Sequence, residues 1–260
     1  MTAKVQRNLG LIGVSAKNEN STVSGVADVT SQRHYLKTTP IVQVYGYQGS
    51  VAHASHSSNS VTSSINLGTA YSNREIYIAV ATMKTSTGSS TSPVASVSLG
   101  GNSFSLLSQT IQSTSTNASS VAFFRYVDNG SLGTSATYTI TFNLLQVHTG
   151  VFAFTTGPTA LSNVDSYGAN GSGGASWGTA GSVSSSSGGL VLYGAIAQNS
   201  SVPTTSSVSG YTMAHFFDAG TNEYVVLAYQ DQLSGGTVTV PQPSYTPNGQ
   251  SSFLAISRES

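Results

Sequence analysis

The chain has 260 residues and no cysteine. That removes disulfides, thiol catalysis and cysteine-based zinc sites from consideration, without fixing the compartment. Charge is scarce: Asp, Glu, Lys and Arg make up 7% of the residues, against about a quarter in an ordinary domain. The charges balance at nine of each sign. A nucleic-acid-binding domain would carry a basic face, so no nucleic-acid partner is expected. No apolar run approaches the ~20 residues of a membrane span, so no membrane partner is expected either. No stretch holds a capped helical period over ten or more residues. Lys4 and Arg7 precede LGLIGVSA, a faint outline of a signal peptide. Its apolar run is too short and holds two glycines, so none is expected.

What is abundant is serine, with 47 copies, about twice an ordinary share. Ser and Thr suit extended backbone and turns, whereas exposed helical faces favour Glu and Lys. The longest strand-like run is REIYIAVATMK, residues 74–84. Ile76, Ile78 and Val80 share one face with Thr82, and Tyr77, Ala79, Ala81 and Met83 share the other. Both faces are largely apolar, which predicts a central strand covered on both sides.

That run has an echo, GLVLYGAIAQ at residues 189–198, and the segments after each copy also correspond. SVSLGGNSFSLLS is echoed by SSVSGYTMAHFF, and SSVAFFRYVDNGSLG by NEYVVLAYQDQLSGG. TYTITF is echoed by TVTVPQP, and HTGVFAFTTG by GQSSFLAISRES. The order predicts a body of two related halves, about 60–157 and 160–260. The Gly/Ser stretch of residues 168–189 resembles a linker by composition. It nevertheless contains Trp177, the one tryptophan, and aligns with the strand before the first long run. A strand is therefore expected within it, and one continuous body, residues 51–260, rather than two separated domains.

Roughly a dozen short strands with turn signals between them read as an antiparallel sandwich. Each half looks too thin to hide both faces of its sheet, so the halves are expected to pair face to face. The fold class is all-β: an antiparallel jelly-roll-like β-sandwich with two pseudo-repeated halves, preceded by an extended N-terminal arm. That arm, residues 1–50, has no counterpart in the repeat and ends in one strand. It holds Lys4, Arg7, Lys17, Arg33 and Lys37, five of the nine cations, and these are its candidate partner-anchoring residues.

No catalytic constellation stands out. Most acids flank turns or strand ends, where capping explains them. Asp128 and Asp231 occupy equivalent repeat positions, which duplication accounts for without a catalytic carboxylate pair. His53 and His56 are three apart, a spacing that sends strand side chains to opposite faces, so no metal site is expected. His215 reads as a packing or edge residue. There is no G-x-S-x-G elbow before a helix, and GANGSGG lacks the Lys-Ser/Thr of a phosphate loop. Neither a cofactor nor a metal is expected. Thirteen tyrosines remain. Tyr and Trp in polar loops serve adaptable recognition, including sugar stacking. Trp177, Tyr167, Tyr71 and Tyr245 are the candidate ligand contacts.

The repeated pattern resembles the jelly-roll sandwich modules of bacteriophage virion proteins and some bacterial surface proteins. The resemblance rests on residues 189–195 (GLVLYGA), 210–212 (GYT), 225–229, 235–240 (GGTVTV) and 253–258 (FLAISR). It spans about residues 55–260, more loosely in the first half. It implies a non-enzymatic structural protein on the surface of a tailed-phage virion, of capsid-decoration, head-fibre or tail-appendage type. Its partners would be other virion proteins, and it would be a homo-oligomer or arrayed on the particle. The alternative is a receptor- or carbohydrate-binding module touching host surface glycans through its Tyr and Trp loops. The resemblance brings no catalytic residues with it.

Overall fold

A computed structural model describes residues 43–53, 58–84, 93–113, 118–143, 148–157, 162–171, 176–198, 207–220, 223–231 and 234–259. The chain divides into two compact units, Met1–Ile41 and Val42–Ser260. Lys4, Arg7, Lys17, Arg33 and Lys37 belong to the first and lie outside the described residues. Among the described residues every regular element is a strand.

The first half supplies β1 (Gln43–His53), β2 (Ser60–Asn66), β3 (Arg74–Lys84), β4 (Val94–Leu99) and β5 (Asn102–Ser103). It continues with β6 (Ser105–Ser113), β7 (Ala118–Asp128), β8 (Ser135–Phe142) and β9 (His148–Gly157). The second half supplies β10 (Ser162–Gly171), β11 (Gly181–Ser187), β12 (Leu190–Gln198) and β13 (Thr212–Gly220). Its last strands are β14 (Glu223–Gln230), β15 (Ser234–Val240) and β16 (Ser251–Glu259).

The sheets repeat along with the sequence. One five-stranded sheet runs β1-β9-β3-β7-β6, and the other runs β10-β16-β12-β14-β13. Each element of the first has its counterpart at the same place in the second. The smaller sheets follow the same rule: β2 pairs with β8 within β2-β8-β4-β5, and β11 pairs with β15. In the first half, β1-β9-β3-β7 in one sheet and β2-β8-β4-β5 in the other give the strand order of a jelly roll. The Gly/Ser stretch does hold a strand, β11, where the alignment with β2 predicts one.

Two expectations need correction. The strand expected at the end of the arm is β1, and it belongs to the repeated body. It pairs with β9 as β10 pairs with β16. Nor do the halves depend on each other to form a first core, because each is already a sandwich. Val61, Ile76, Ile78, Val97, Tyr138 and Ile140 fill the space between the two sheets of the first. Trp177, Val183, Tyr193, Val226, Val240 and Phe253 do the same in the second.

A third cluster joins the two five-stranded sheets back to back. It contains Tyr77, Ala79, Phe123, Phe152 and Phe154 from one side, with Leu192, Ile196, Leu227, Leu254 and Ile256 from the other. Full burial of a large apolar side chain stabilises by about 1.5–3 kcal/mol, so this face binds the sandwiches firmly together. The body is thus four sheets deep. This explains why β3 and β12 are apolar on both faces: each lies in an inner layer. The stacking is reciprocal, with β6 against β10 and β16 while β13 lies against β1 and β9, and β3 crossing β12. Such self-complementary contact is the pattern of a two-fold interface, here within one chain.

Candidate functional site

Buried charge comes first, because chemistry most often needs it. Arg74 and Asp128 are both fully buried and joined at 2.6 Å. The same guanidinium donates to the carbonyls of Leu67, Thr69 and Gly133 at 2.8 to 3.2 Å. The Asp128 carboxylate also accepts the backbone N–H of Ser131 at 3.0 Å. Arg74 ties the β2–β3 loop to the turn after β7, and Asp128 is a turn residue, as its sequence context suggests.

A second group lies between the sandwiches. Glu75 accepts from Arg125 through Nε at 2.8 Å and also from its Nη2. It accepts the hydroxyl of Tyr77 and faces the Nη2 of Arg258 at 3.7 Å. Arg258 Nε donates to the Tyr77 hydroxyl at 3.0 Å. Burial, reinforced by the Glu75 carboxylate and opposed by Arg258, holds the Tyr77 phenol protonated well above the usual tyrosine range. These groups satisfy one another, which is the signature of a fastener rather than of a reactive centre.

The aromatic candidates do not form one surface. Trp177 is 2% exposed and Tyr245 is 8% exposed, so the expectation that they meet a ligand is corrected. The Trp177 indole donates to the Tyr245 carbonyl at 2.6 Å, and the rings meet edge to face at 5.0 Å. Trp177 is buried because the Gly/Ser stretch carries it into the core of the second sandwich. Tyr71 and Tyr167 are partly exposed, but both hydroxyls are engaged. Tyr71 donates to the Thr156 carbonyl at 3.1 Å, and Tyr167 to the Thr179 carbonyl at 2.8 Å. The Tyr167 ring lies against the backbone of Gly181, where no Cβ would fit. Tyr71 belongs to the first sandwich and the other three to the second. His53 reaches the Tyr138 hydroxyl at 2.5 Å. His56 lies outside the described residues, and His215 lies in β13.

A groove of about 440 Å³ opens elsewhere, on the second sandwich. Ser209, Tyr211, Gln230, Thr237, Thr239 and Pro241 are among its lining residues, and none of the described lining residues is charged. Comparison of the halves explains it. In the first, β8 is flanked by β2 and, on its other side, by β4, with Val97 opposite Ile140 and Leu99 opposite Tyr138. In the second, β11 covers one side of β15. Among the described residues, the counterpart of β4 meets the chain past the end of β15, through a bridge from Val208 to Pro243. There the Ser244 N–H donates to the Ser207 carbonyl at 2.8 Å. Pro241 and Pro243 supply no N–H to continue a ladder. Among the described residues no strand therefore lies along β15 opposite β11, and the groove occupies that place.

Tyr211 crosses the gap. Its hydroxyl donates to the Thr239 carbonyl at 3.1 Å, and its ring is tilted against Tyr193 at 5.5 Å. Tyr193 in turn donates to the Pro241 carbonyl at 3.0 Å. Burial pushes both phenols up, so both are neutral donors. Thr237 and Thr239 are exposed while Val240 is buried, an alternation that turns the threonine hydroxyls outward. These residues escaped the sequence reading because GYT and TVTV count there as strand motifs. The available signal was the pair of threonines two apart, with Pro241 and Pro243 shortly after them.

The chain matches no family model, no curated protein and no solved structure.

Proposed function

We propose that the chain is a non-enzymatic structural protein on the surface of a tailed-phage virion, held there by its N-terminal segment, with the double sandwich facing solvent. The observation that carries this reading is the division at residue 41. Residues 1–41 hold five cations against two acids, and residues 42–260 hold four cations against seven acids. A basic segment attached to an acidic, low-charge body suits docking on an acidic partner, with the body directed away from it. The jelly-roll strand order and the Ser/Thr-rich strands favour the same reading through the resemblance stated above, which bears on fold and setting rather than task. The partner would be a capsid or tail protein, and the copies would be arrayed on the particle.

Deletion of residues 1–37 tests this. The truncated protein should keep the thermal transition of the full chain and lose attachment to particles. Undiminished decoration by the truncated protein would sink the anchoring role.

A further inference from the structure

We propose that the groove along β15 is a binding site for a neutral saccharide. The proposal stands whether or not the chain sits on a virion.

The lining decides the chemical class. Without a charged side chain among the described lining residues, a phosphate, a carboxylate or an ammonium group would find no counter-charge on them. What the groove offers is hydroxyls on Ser209, Thr237 and Thr239, the amide of Gln230 and the partly exposed ring of Tyr211. Hydroxyls and an amide both donate and accept, which matches the dual character of sugar hydroxyls. A tyrosine ring supplies the apolar face on which the C–H side of a pyranose stacks. A volume of about 440 Å³ falls within the range of small-ligand sites and suits one or two sugar rings.

The strand edge raises a competing occupant, an added peptide strand. Tyr211 argues against it. Its hydroxyl already bonds the Thr239 carbonyl, an edge acceptor that an added strand would need. Strand addition needs a run of free backbone groups along the edge. The tyrosine is also held firmly, by Tyr193 on one side and the Thr239 carbonyl on the other. A ring fixed before binding loses little entropy when a sugar stacks on it.

The experiment is a titration of the full-length protein, followed by backbone amide NMR, with glucose, galactose, mannose, N-acetylglucosamine, rhamnose and their common disaccharides. At least one neutral sugar should saturate the resonances of residues 209–211, 230 and 237–239. Tyr211→Ala should weaken that binding tenfold or more. Because Tyr211 also packs on Tyr193, the exposed Thr237→Val and the variant Gln230→Ala provide the second arm. Each should weaken binding at least threefold with the thermal transition unchanged. The proposal is overturned if no neutral sugar in the panel shifts these resonances. It is equally overturned if sialic acid or a short peptide strand occupies the groove in preference, or if both second-arm variants bind as tightly as the native chain.

Discussion

Glu75 on β3 and Arg258 on β16 face each other at 3.7 Å across the interface between the two sandwiches. Glu75 is fully buried and Arg258 is 1% exposed. The pair is therefore an electrostatic fastener in a joint that also holds the Ser119–Ser252 and Thr110–Asn170 hydrogen bonds. Alignment of the repeat places Leu190 at the position of Glu75, so the second sandwich fills its equivalent site with a hydrocarbon.

Glu75→Ala should lower stability by about 3–5 kcal/mol, because it removes one partner of a buried ion pair. Glu75→Leu combined with Arg258→Leu should restore most of that loss, since a well-packed apolar pair often matches a buried ion pair. Urea unfolding of the native chain, Glu75→Leu, Arg258→Leu and the double variant completes the cycle. A coupling energy below about 0.5 kcal/mol would mean that the two residues act independently.

Gly194 on β12 permits the close approach of the two inner sheets. A Cβ there would lie 2.9 Å from Cγ1 of Val121 on β7. Gly194→Val should cost about 1–3 kcal/mol through overpacking. The companion Val121→Ala should relieve part of that cost, whereas on the native background it opens a cavity and destabilises. Differential scanning calorimetry of the two single variants and the pair reads this directly. Simple additivity would place the strain elsewhere.

Much of this joint can be read from the sequence, and some of it cannot. The two-sided apolar character of residues 74–84 and its echo at 189–198 identify inner strands, because only a doubly covered strand lacks a polar face. Trp177 marks a buried segment, just before β11, inside a stretch that composition alone would make a linker. Strand alternation does not say how many layers cover an inner strand, so the four-sheet stack appears only with the pairing. Glu75 reads as an acid at a strand end, whereas its burial depends on β16, nearly two hundred residues away. The groove is still less visible. It arises from the displacement of one strand relative to another, a property of register rather than of any single residue.

Stability at alkaline pH should depend on the buried phenols. Burial raises Tyr77, Tyr138, Tyr193, Tyr211 and Tyr245 above the ordinary tyrosine value of 10.0. Each phenol keeps its proton in the folded chain and loses it more readily in the unfolded one. Where the unfolded state binds fewer protons, stability falls with rising pH. The contribution is complete below pH 10 and diminishes above it. Absorbance at the tyrosinate band should therefore show a step from these five phenols that coincides with loss of the β-sheet circular dichroism. Tyr77→Phe should move that step to higher pH. A smooth single titration of all thirteen tyrosines with the fold intact would contradict the burial argument.

Trp177 should act as a structural pin and as the chain's own fluorescent reporter. It is the single tryptophan of the protein, it is 2% exposed, and its indole N–H is satisfied by the Tyr245 carbonyl. Its emission should be blue-shifted, shielded from iodide, and red-shifted only as the second sandwich unfolds. Trp177→Phe keeps an aromatic ring but removes the hydrogen bond to the Tyr245 carbonyl, at a cost of about 0.5–1.5 kcal/mol. Trp177→Ala adds a cavity, for a total near 3–5 kcal/mol. A sugar bound in the groove should leave the emission unchanged, because Trp177 is buried in the core and is not among the groove's lining residues. Quenching or a spectral shift on saccharide addition would instead return Trp177 to the binding surface, against the burial described here.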